Sequence, residues 1–164
     1  MAVMLPPEAS KLLNELGYDW PEGNEDIIFS TAGQWINYGG QVRSSNADAQ
    51  NVIASVLGNN ESTGIQAFAG DVHKFEGLSD VSNRLGVAGN VMGGLLYVIG
   101  GLVITLKITF VVNLVATLAQ IASAIAAAVP TAGASMAWVP VAKILCKEVL
   151  SMAINLAINK IMGG

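Results

Sequence analysis

The stretch ITFVVNLVATLAQIASAIAAAVPTAGAS, residues 108–135, contains no charged side chain. Its first 22 residues run without interruption to Pro130, and residues 85–106 form a second uncharged window of 22 residues. Only Lys107 separates the two windows. Each is long enough to cross a hydrocarbon layer about 30 Å thick. The pattern therefore predicts either a membrane span or the interior of a very apolar helical protein.

The residues around Lys107 favour the second interpretation. A transmembrane hairpin would need a turn there, but LVITLKITFVV, residues 102–112, is rich in β-branched residues and has no glycine, proline or asparagine. In the final helix, Lys147 and Glu148 would lie near mid-membrane at a cost of roughly 2.5 kcal/mol or more each. A soluble helical bundle is the preferred hypothesis, and membrane insertion remains the alternative.

Composition predicts the fold class. The chain has 164 residues, of which 52% are hydrophobic, 12% charged and only 6% aromatic. An average globular chain is roughly 25% charged. Because the apolar content is mostly Ala, Val, Leu and Ile, close helix packing is favoured over a sheet. We predict a single all-α domain, residues 1–164: an elongated antiparallel helical hairpin or bundle with long helices and a C-terminal amphipathic helix.

Charge and cysteine content exclude several classes of protein and partner. Residues 1–84 carry eleven acidic and four basic side chains, whereas residues 85–164 carry four lysines and one glutamate. No cluster of Lys and Arg exists, so nucleic acid is not an expected partner. The single cysteine, Cys146, excludes an internal disulfide framework. The N-terminus has no positively charged segment followed by an apolar run, so no ordinary signal peptide is predicted.

The first two helices are predicted from their end signals. Pro6 and Pro7 begin a short helix and Gly17 ends it, within a helix and loop at residues 1–23. Asn24 is the predicted N-cap of a first long helix, residues 24–57, with a kink expected near its paired glycines. The apolar seam of this helix follows a heptad rhythm. It comprises Ile28, Ala32, Trp35, Gly39, Val42, Ala49, Ile53 and Val56.

A second long helix is predicted over residues 62–129, with Ser62 as its N-cap and a break expected near its paired glycines. Its seam includes Phe68, Phe75, Leu78, Leu85, Ala88, Met92 and Leu95, with one step out of phase between Phe75 and Leu78. The final helix, residues 135–162, has Ser135 as its predicted N-cap. Its predicted apolar side comprises Trp138, Val141, Leu145, Met152 and Leu156.

Glycines form a stripe along the second long helix. Gly86, Gly93 and Gly100 repeat every seven residues, and Gly89 precedes Gly93 by four. Each glycine inside a helix costs up to about 1 kcal/mol relative to alanine, so the repetition indicates that two backbones approach closely along this stripe. Such an approach could occur in a soluble bundle or in a membrane interface.

The sequence lacks the motifs that catalysis or metal binding would need. His73 is the only histidine, and there is no Ser-His-Asp order, HxxxH, CxxC or phosphate-binding glycine loop. The glycines of GVAGNVMGG lie inside a helical pattern with no preceding strand, so a dinucleotide site is not predicted. We expect no catalytic residues, no cofactor, no metal and no enzymatic activity.

Four motifs resemble a known family. LPPEASKLLNELGYDWPEGNED (5–26), TAGQW (31–35), NESTGIQAF (60–68) and TAGAS (131–135), together with the long apolar helix, are similar to the WXG-like leader domain found in type VII secretion substrates, at the N-terminus of large actinobacterial toxins. The chain departs from the pattern at the W-x-G turn, where Ser62 replaces the tryptophan before Gly64. The C-terminal Tyr-x-x-x-Asp/Glu signal is also absent after the hairpin.

The resemblance implies an all-helical interaction domain that a type VII system recognises and exports to the cell surface or outside, carrying or accompanying a toxin. Implied partners are the secretion machinery and either a small WXG-like helical protein or a second copy. Candidate interaction residues are Trp20, Trp35, Ser62, Gly64 and Phe68. Trp20 and the Gly64 turn are the better exposed candidates, whereas Trp35 is either a core residue or a partner contact. The alternative is a membrane-active, pore-forming or self-assembling protein.

Overall fold

The structure, a computed structural model, describes residues 3–74 and 77–163. Its helices are α1 (Pro7–Glu15), α2 (Glu25–Asn59), α3 (Thr63–His73), α4 (Leu78–Ala126) and α5 (Trp138–Ile161), with a 3-10 turn at Ala134–Ala137. No strand occurs among the described residues, and the predicted all-α class is confirmed. The chain forms two compact units, one of Met1–Asp26 with Ile99–Gly164 and one of Ile27–Val98. Whether it acts as the predicted single domain stays a prediction.

Helix α1 forms where its signals predict. Pro7 occupies the first helical position, and Gly17 follows the helix with a positive φ of 81° that favours glycine. Ala9, Leu12, Leu13 and Leu16 lie on one side and are buried. The short helix therefore has one apolar face fixed in a core and one face in solvent.

Within the unit of residues 27–98, α2 packs antiparallel against the first part of α4. The rings of Phe29 and Tyr97 lie 5.6 Å apart at one end, and the Asn46 amide donates to Asn83 Oδ1 over 3.1 Å at the other. The glycine stripe of α4 faces α2 between these points. A Cβ added at Gly89 would lie 2.9 Å from Trp35 O, and one at Gly86 would lie 3.1 Å from Gly39 O. The predicted close approach of backbones is present in this unit.

This glycine contact corrects the predicted seam of α4. The large apolar residues Leu85, Met92 and Leu95 were expected to face α2, but they are exposed. The helix is instead rotated so that Gly86, Gly89 and Gly93 face α2. Small residues permit closer backbone contact than leucines do, and the contact they make determines the rotation. Gly100 is buried but belongs to the other unit. Phe75, another member of the predicted seam, lies outside the described residues.

Replacing Gly93 by alanine is expected to destabilise the protein, although alanine favours a helix. The added Cβ would lie 2.5 Å from Ile36 Cγ1 and 2.7 Å from Ala32 O, a backbone atom with little freedom to move. Overpacking of this kind costs about 1–3 kcal/mol. The matched control is the neighbouring Gly94→Ala, which meets nothing within 4 Å and should stabilise by up to about 1 kcal/mol. Urea unfolding followed by circular dichroism measures both, and equal effects would contradict this packing.

Helix α4 continues through its paired glycines, so the break predicted there is wrong. The helical pattern is instead interrupted after His73, where the capping residue Lys74 has an extended ψ of 164°. This is the region of the out-of-phase step between Phe75 and Leu78. Helix α2 is continuous from Glu25 to Asn59, and the kink expected near Gly39 and Gly40 stays a prediction.

The turn between α4 and α5 differs from the prediction in its capping. Helix α5 begins at Trp138 and has no side-chain cap. Ser135 lies in the preceding 3-10 turn, where its hydroxyl donates to Ala124 O over 2.7 Å and its amide donates to Thr131 Oγ1 over 3.3 Å. Ser135 thus ties the turn to the end of α4 instead of capping α5. Gly133 provides the left-handed conformation of this turn, with φ 87°.

The predicted apolar side of α5 is not its buried side. Ala142, Cys146 and Leu150 are buried instead. Two of these three residues are small, which lets α5 approach the bulkier Phe110 and Leu114 of α4 closely. The side chains of the predicted face are between 40% and 70% exposed. They are Trp138, Val141, Leu145, Met152 and Leu156.

Candidate functional site

The site lies in the unit of residues 1–26 and 99–164, beneath α1. The buried face of α1 packs on a cluster from two other helices. Phe110 and Leu114 come from α4, and Cys146 and Leu150 come from α5. Phe110, Leu114, Leu150 and Leu13 are the largest fully buried side chains among the described residues. The N-terminal helix therefore covers the buried apolar residues that α4 and α5 contribute to this cluster.

Lys107 lies one turn before Phe110 on the same face of α4, and its side chain is only 3% exposed. Its Nζ donates to Glu25 Oε2 over 2.7 Å and to the carbonyl oxygen of Gly23 over 2.6 Å. The Trp20 ring centroid lies 5.8 Å from the same nitrogen, within range of a cation–π contact. The one charge between the two uncharged windows is thus neutralised and hydrogen-bonded by residues that follow α1.

Gly23 is placed closely against α4. A Cβ at this position would lie 3.3 Å from Val103 Cγ1, tighter than most contacts of real side chains. The missing side chain lets the backbone approach α4, so that the Gly23 carbonyl reaches Lys107.

Glu25 is bonded through both carboxylate oxygens. Oε1 accepts from the backbone amide of Val3 over 2.6 Å, while Oε2 accepts from Lys107. The Lys107 hydrogen bond, followed by the Val3 amide, lowers the pKa of Glu25 from 4.5 to about 2, and burial opposes this shift only in part. Glu25 therefore links Val3, near the N-terminus, to Lys107 in the middle of α4.

Acid is expected to weaken this unit through Glu25. Because the pKa of Glu25 is lower in the folded state, its contribution to stability is present above about pH 4.5 and is lost as pH falls towards about 2. Glu25→Gln should flatten the dependence of unfolding free energy on pH in this window. The matched control is Glu15→Gln, whose exposed carboxylate pairs with Lys143 at the surface. If both variants keep the wild-type slope between pH 4.5 and 2, the role of Glu25 is contradicted.

Trp20 is less exposed than expected from its loop position. Its ring packs edge-on against Phe110, with centroids 6.3 Å apart, and the side chain is half-buried against the apolar cluster. The indole therefore has a structural contact inside the chain, and only its outer part is available to a partner.

The structure places the other candidate interaction residues in the unit of residues 27–98. Trp35 is 39% exposed and stacks edge-on with Tyr38, so it is a surface residue instead of a core residue. Ser62 caps α3 by accepting from the Ile65 amide over 3.3 Å, as predicted. Gly64 has open space around it, and Phe68 is 54% exposed. A role for any of these residues in partner binding stays a prediction.

The sequence patterns do not predict the Glu25–Lys107 pair. In the sequence, Lys107 stands out only as the charge between two apolar windows, and Glu25 is one of several acids in the motif of residues 5–26. A usable signal exists. Lys107 is the only charged residue between Arg84 and Lys143, and a lone charge in such a segment requires a partner if it is buried. The acidic N-terminal part of the chain was the available source.

A site for a metal ion is not evident in the part of the chain that the structure describes, since no group of three or more His, Cys, Asp or Glu side chains could hold one. The buried charges at Lys107 are already bonded to each other and to the backbone. Their arrangement suits holding segments of the chain together.

The model of the WXG100 like domain matches residues 4–147, which include the N-terminal helix, the α2–α4 hairpin and the Glu25–Lys107 pair. Comparisons with curated proteins and with solved structures give no match. The WXG100-like domain implies a helical protein associated with type VII secretion, a system that exports its substrates. Because the match covers most of its length, the chain belongs to the WXG100-like domain family.

Proposed function

We propose that this chain is a non-enzymatic leader domain that a type VII apparatus recognises and exports, carrying or accompanying a toxin. The family match over residues 4–147 is the observation that carries the proposal. In this proposal the domain is similar to the N-terminal domain of the mycobacterial channel and necrotizing toxin CpnT. The domain's role is to be recognised and transported by the apparatus, and any enzymatic activity belongs to the cargo.

The antiparallel hairpin of α2 and α4 supports this proposal by presenting surface for a helical partner. Trp35 and Phe68 are exposed in the same unit, and so are the large residues that the glycine contact leaves facing outward. Aromatic and aliphatic side chains of this kind are common anchors in protein interfaces. The proposed partners are the secretion machinery and a small WXG-like helical protein or a second copy of the chain.

Export is tested in the producing cell. Deleting the ATPase of its type VII system should remove the protein from the culture medium and cell surface while leaving its intracellular amount intact. A protein exported through an ordinary signal peptide serves as the control and should be unaffected. Unchanged export of this chain would contradict the proposal.

A second function, insertion into a membrane, is supported by two observations on the apolar part of α4. Thr63–Ala126 contains one segment long and apolar enough to cross a membrane, and only 17% of its most apolar window is buried. The core helix of a soluble protein would be mostly buried. In addition, Thr105, Thr109 and Thr117 each donate a hydroxyl to the helix carbonyl four residues earlier, which satisfies them without water.

The two functions differ in how the purified chain behaves. A leader domain should remain in solution without detergent, alone or with its partner, whereas a membrane-active protein should float with lipid vesicles in a density gradient. Recovery entirely in the vesicle fraction, with none in the detergent-free supernatant, would favour insertion over the leader role.

A further inference from the structure

A groove lies between the middle of α4 and the C-terminal part of α5, within the unit of residues 1–26 and 99–164. We define the α4–α5 groove as the cleft of about 230 Å³ between residues 102–109 and residues 153–160. On each helix the lining residues lie three or four positions apart, so each helix contributes one stripe of side chains. Solvent reaches the groove, because Thr105, Leu156 and Lys160 are exposed.

Small side chains leave the groove unfilled. Ala153 and Ala157 line it from α5, and Leu102 and Leu106 line it from α4. Neither alanine is large enough to fill the space, and Leu156, the large apolar residue of the α5 stripe, is 70% exposed. The groove is therefore bounded by apolar side chains and is open to water.

The hydroxyl groups along the groove already have partners. Thr105 Oγ1 donates to the carbonyl oxygen of Gly101, and Thr109 Oγ1 donates to that of Thr105, each over 2.8 Å. Water inside the groove consequently finds few groups to bond, and an apolar ligand can displace it favourably.

One end of the groove is marked by a lysine. Helices α4 and α5 run antiparallel, since Ser135 donates to Ala124 O near the turn and Cys146 Sγ lies 3.9 Å from Asn113 O further along. Lys160 is the last lining residue of α5. The antiparallel pairing therefore places it at the end of the groove where the α4 stripe begins.

Lys160 has no counter-ion among the residues that the structure describes. Residues 81–164 contain a single acid, Glu148. It lies 12 positions before Lys160 on α5, which is about 18 Å along a helix. The ammonium group is thus available to an anion from outside the chain.

The dimensions of the groove discriminate between possible occupants. A helix from a partner protein is about 10–12 Å wide with its side chains. Such a helix is too wide to enter a cleft of about 230 Å³ that extends roughly 10 Å along α4. An alkyl chain is narrow enough to enter, and the charge of Lys160 is complementary to an anionic head group.

We propose that the α4–α5 groove binds one free fatty acid of medium chain length. The alkyl chain lies between the two stripes, and the carboxylate lies at Lys160. The ligand is a dissolved single-chain carboxylate, as distinct from a lipid within a bilayer. This binding activity goes beyond recognition and export and does not depend on either.

Calorimetric titration of the detergent-free chain with decanoate, below the concentration at which decanoate forms micelles, tests the proposal. Saturable binding of one molecule per chain is expected. Between hexanoate and decanoate the affinity should rise by up to about fourfold for each buried methylene, and it should level off once the chain is longer than the groove. No saturable binding, or an affinity that keeps rising in the same steps beyond dodecanoate, would overturn the proposal.

Filling the groove tests its location. Ala153→Leu places a larger side chain in the groove and should weaken decanoate binding about tenfold. Asn155→Leu is the matched control, since Asn155 is exposed on the same helix and does not line the groove. Its affinity for decanoate should equal that of the wild type. Equal effects of the two variants, with both helical by circular dichroism, would show that decanoate binds elsewhere.

Reversing the charge at Lys160 tests the role of the ammonium group without disturbing a packed residue. Lys160→Glu should weaken decanoate binding about fivefold and leave the binding of uncharged decanol unchanged. Lys147→Glu makes the same change in net charge at an exposed α5 position outside the groove, and it should alter neither affinity. A loss of decanoate affinity as large in Lys147→Glu as in Lys160→Glu contradicts the placement of the carboxylate.

Vesicles of phosphatidylglycerol distinguish the free ligand from a bilayer lipid. Decanoate should bind in the absence of vesicles. A chain that floats with the vesicles but does not bind decanoate in solution would overturn the proposal in favour of membrane association. None of these measurements involves the ATPase deletion, so failure of this proposal and failure of the export proposal are distinguishable.

Discussion

Lys107→Met is expected to destabilise the protein more than the double substitution Lys107→Met/Glu25→Met. The single change removes the cation and leaves the Glu25 carboxylate buried without its counter-ion, although the Val3 amide still donates to it. Removing one member of a buried pair is strongly destabilising, whereas replacing both by apolar residues is often neutral or stabilising. Urea unfolding of the two variants, followed by circular dichroism, measures this difference.

The control for the comparison of Lys107→Met with the double variant is Lys143→Met, which breaks the exposed pair with Glu15. Surface pairs contribute little to stability, so its unfolding midpoint should stay close to that of the wild type. If the double variant is no more stable than Lys107→Met, the pair is not a coupled unit and the burial of Glu25 has no energetic consequence.

Phe110→Ala is expected to lower the unfolding free energy by about 3–5 kcal/mol, the range for large-to-small changes in a packed core. Phe110 is almost completely buried, touches Trp20 edge-on and lies in the cluster beneath α1. Its loss removes apolar contacts from three helices at once. Denaturant titration followed by circular dichroism measures the effect, and Trp20 fluorescence should change at the same time.

Val112→Ala is the matched control for Phe110, since Val112 lies two residues away on α4 and is 59% exposed. Its effect should stay within about 0.5 kcal/mol. A loss at Val112 comparable to that at Phe110 would mean that the exposed face of α4 is packed against something in solution, and that the isolated chain is not the stable form.

Local sequence signals were sufficient to predict several helix ends and one close packing contact. Pro7 and Gly17 delimit α1, and Ser62 caps α3, because proline, glycine and serine act through their own backbone geometry or their nearest neighbours. The close backbone approach at Gly89 and Gly93 was also predictable, since repeated glycines in a helix need a packing reason.

Rotation of the helices about their axes was not predictable. Both α4 and α5 carry apolar residues on more than one side, so a heptad rhythm can be drawn through several faces. Leu85 and Met92 of α4 and Leu145 of α5 fitted the rhythm but are exposed. Gly93 and Cys146 lie on the packed faces because small residues allow the closest contact.

The sequence by itself determined that this chain is helical, where α1 begins and ends and where α3 begins, and that its family is WXG-like, because these properties depend on local geometry and on motifs. Only the tertiary structure decided which face of each long helix is packed and that Glu25 neutralises Lys107. Those two residues are 82 positions apart, and the free energy of their pairing depends on burial and on bonds to Val3 and Gly23. Such contacts form only once the chain has folded, and no local pattern specifies them.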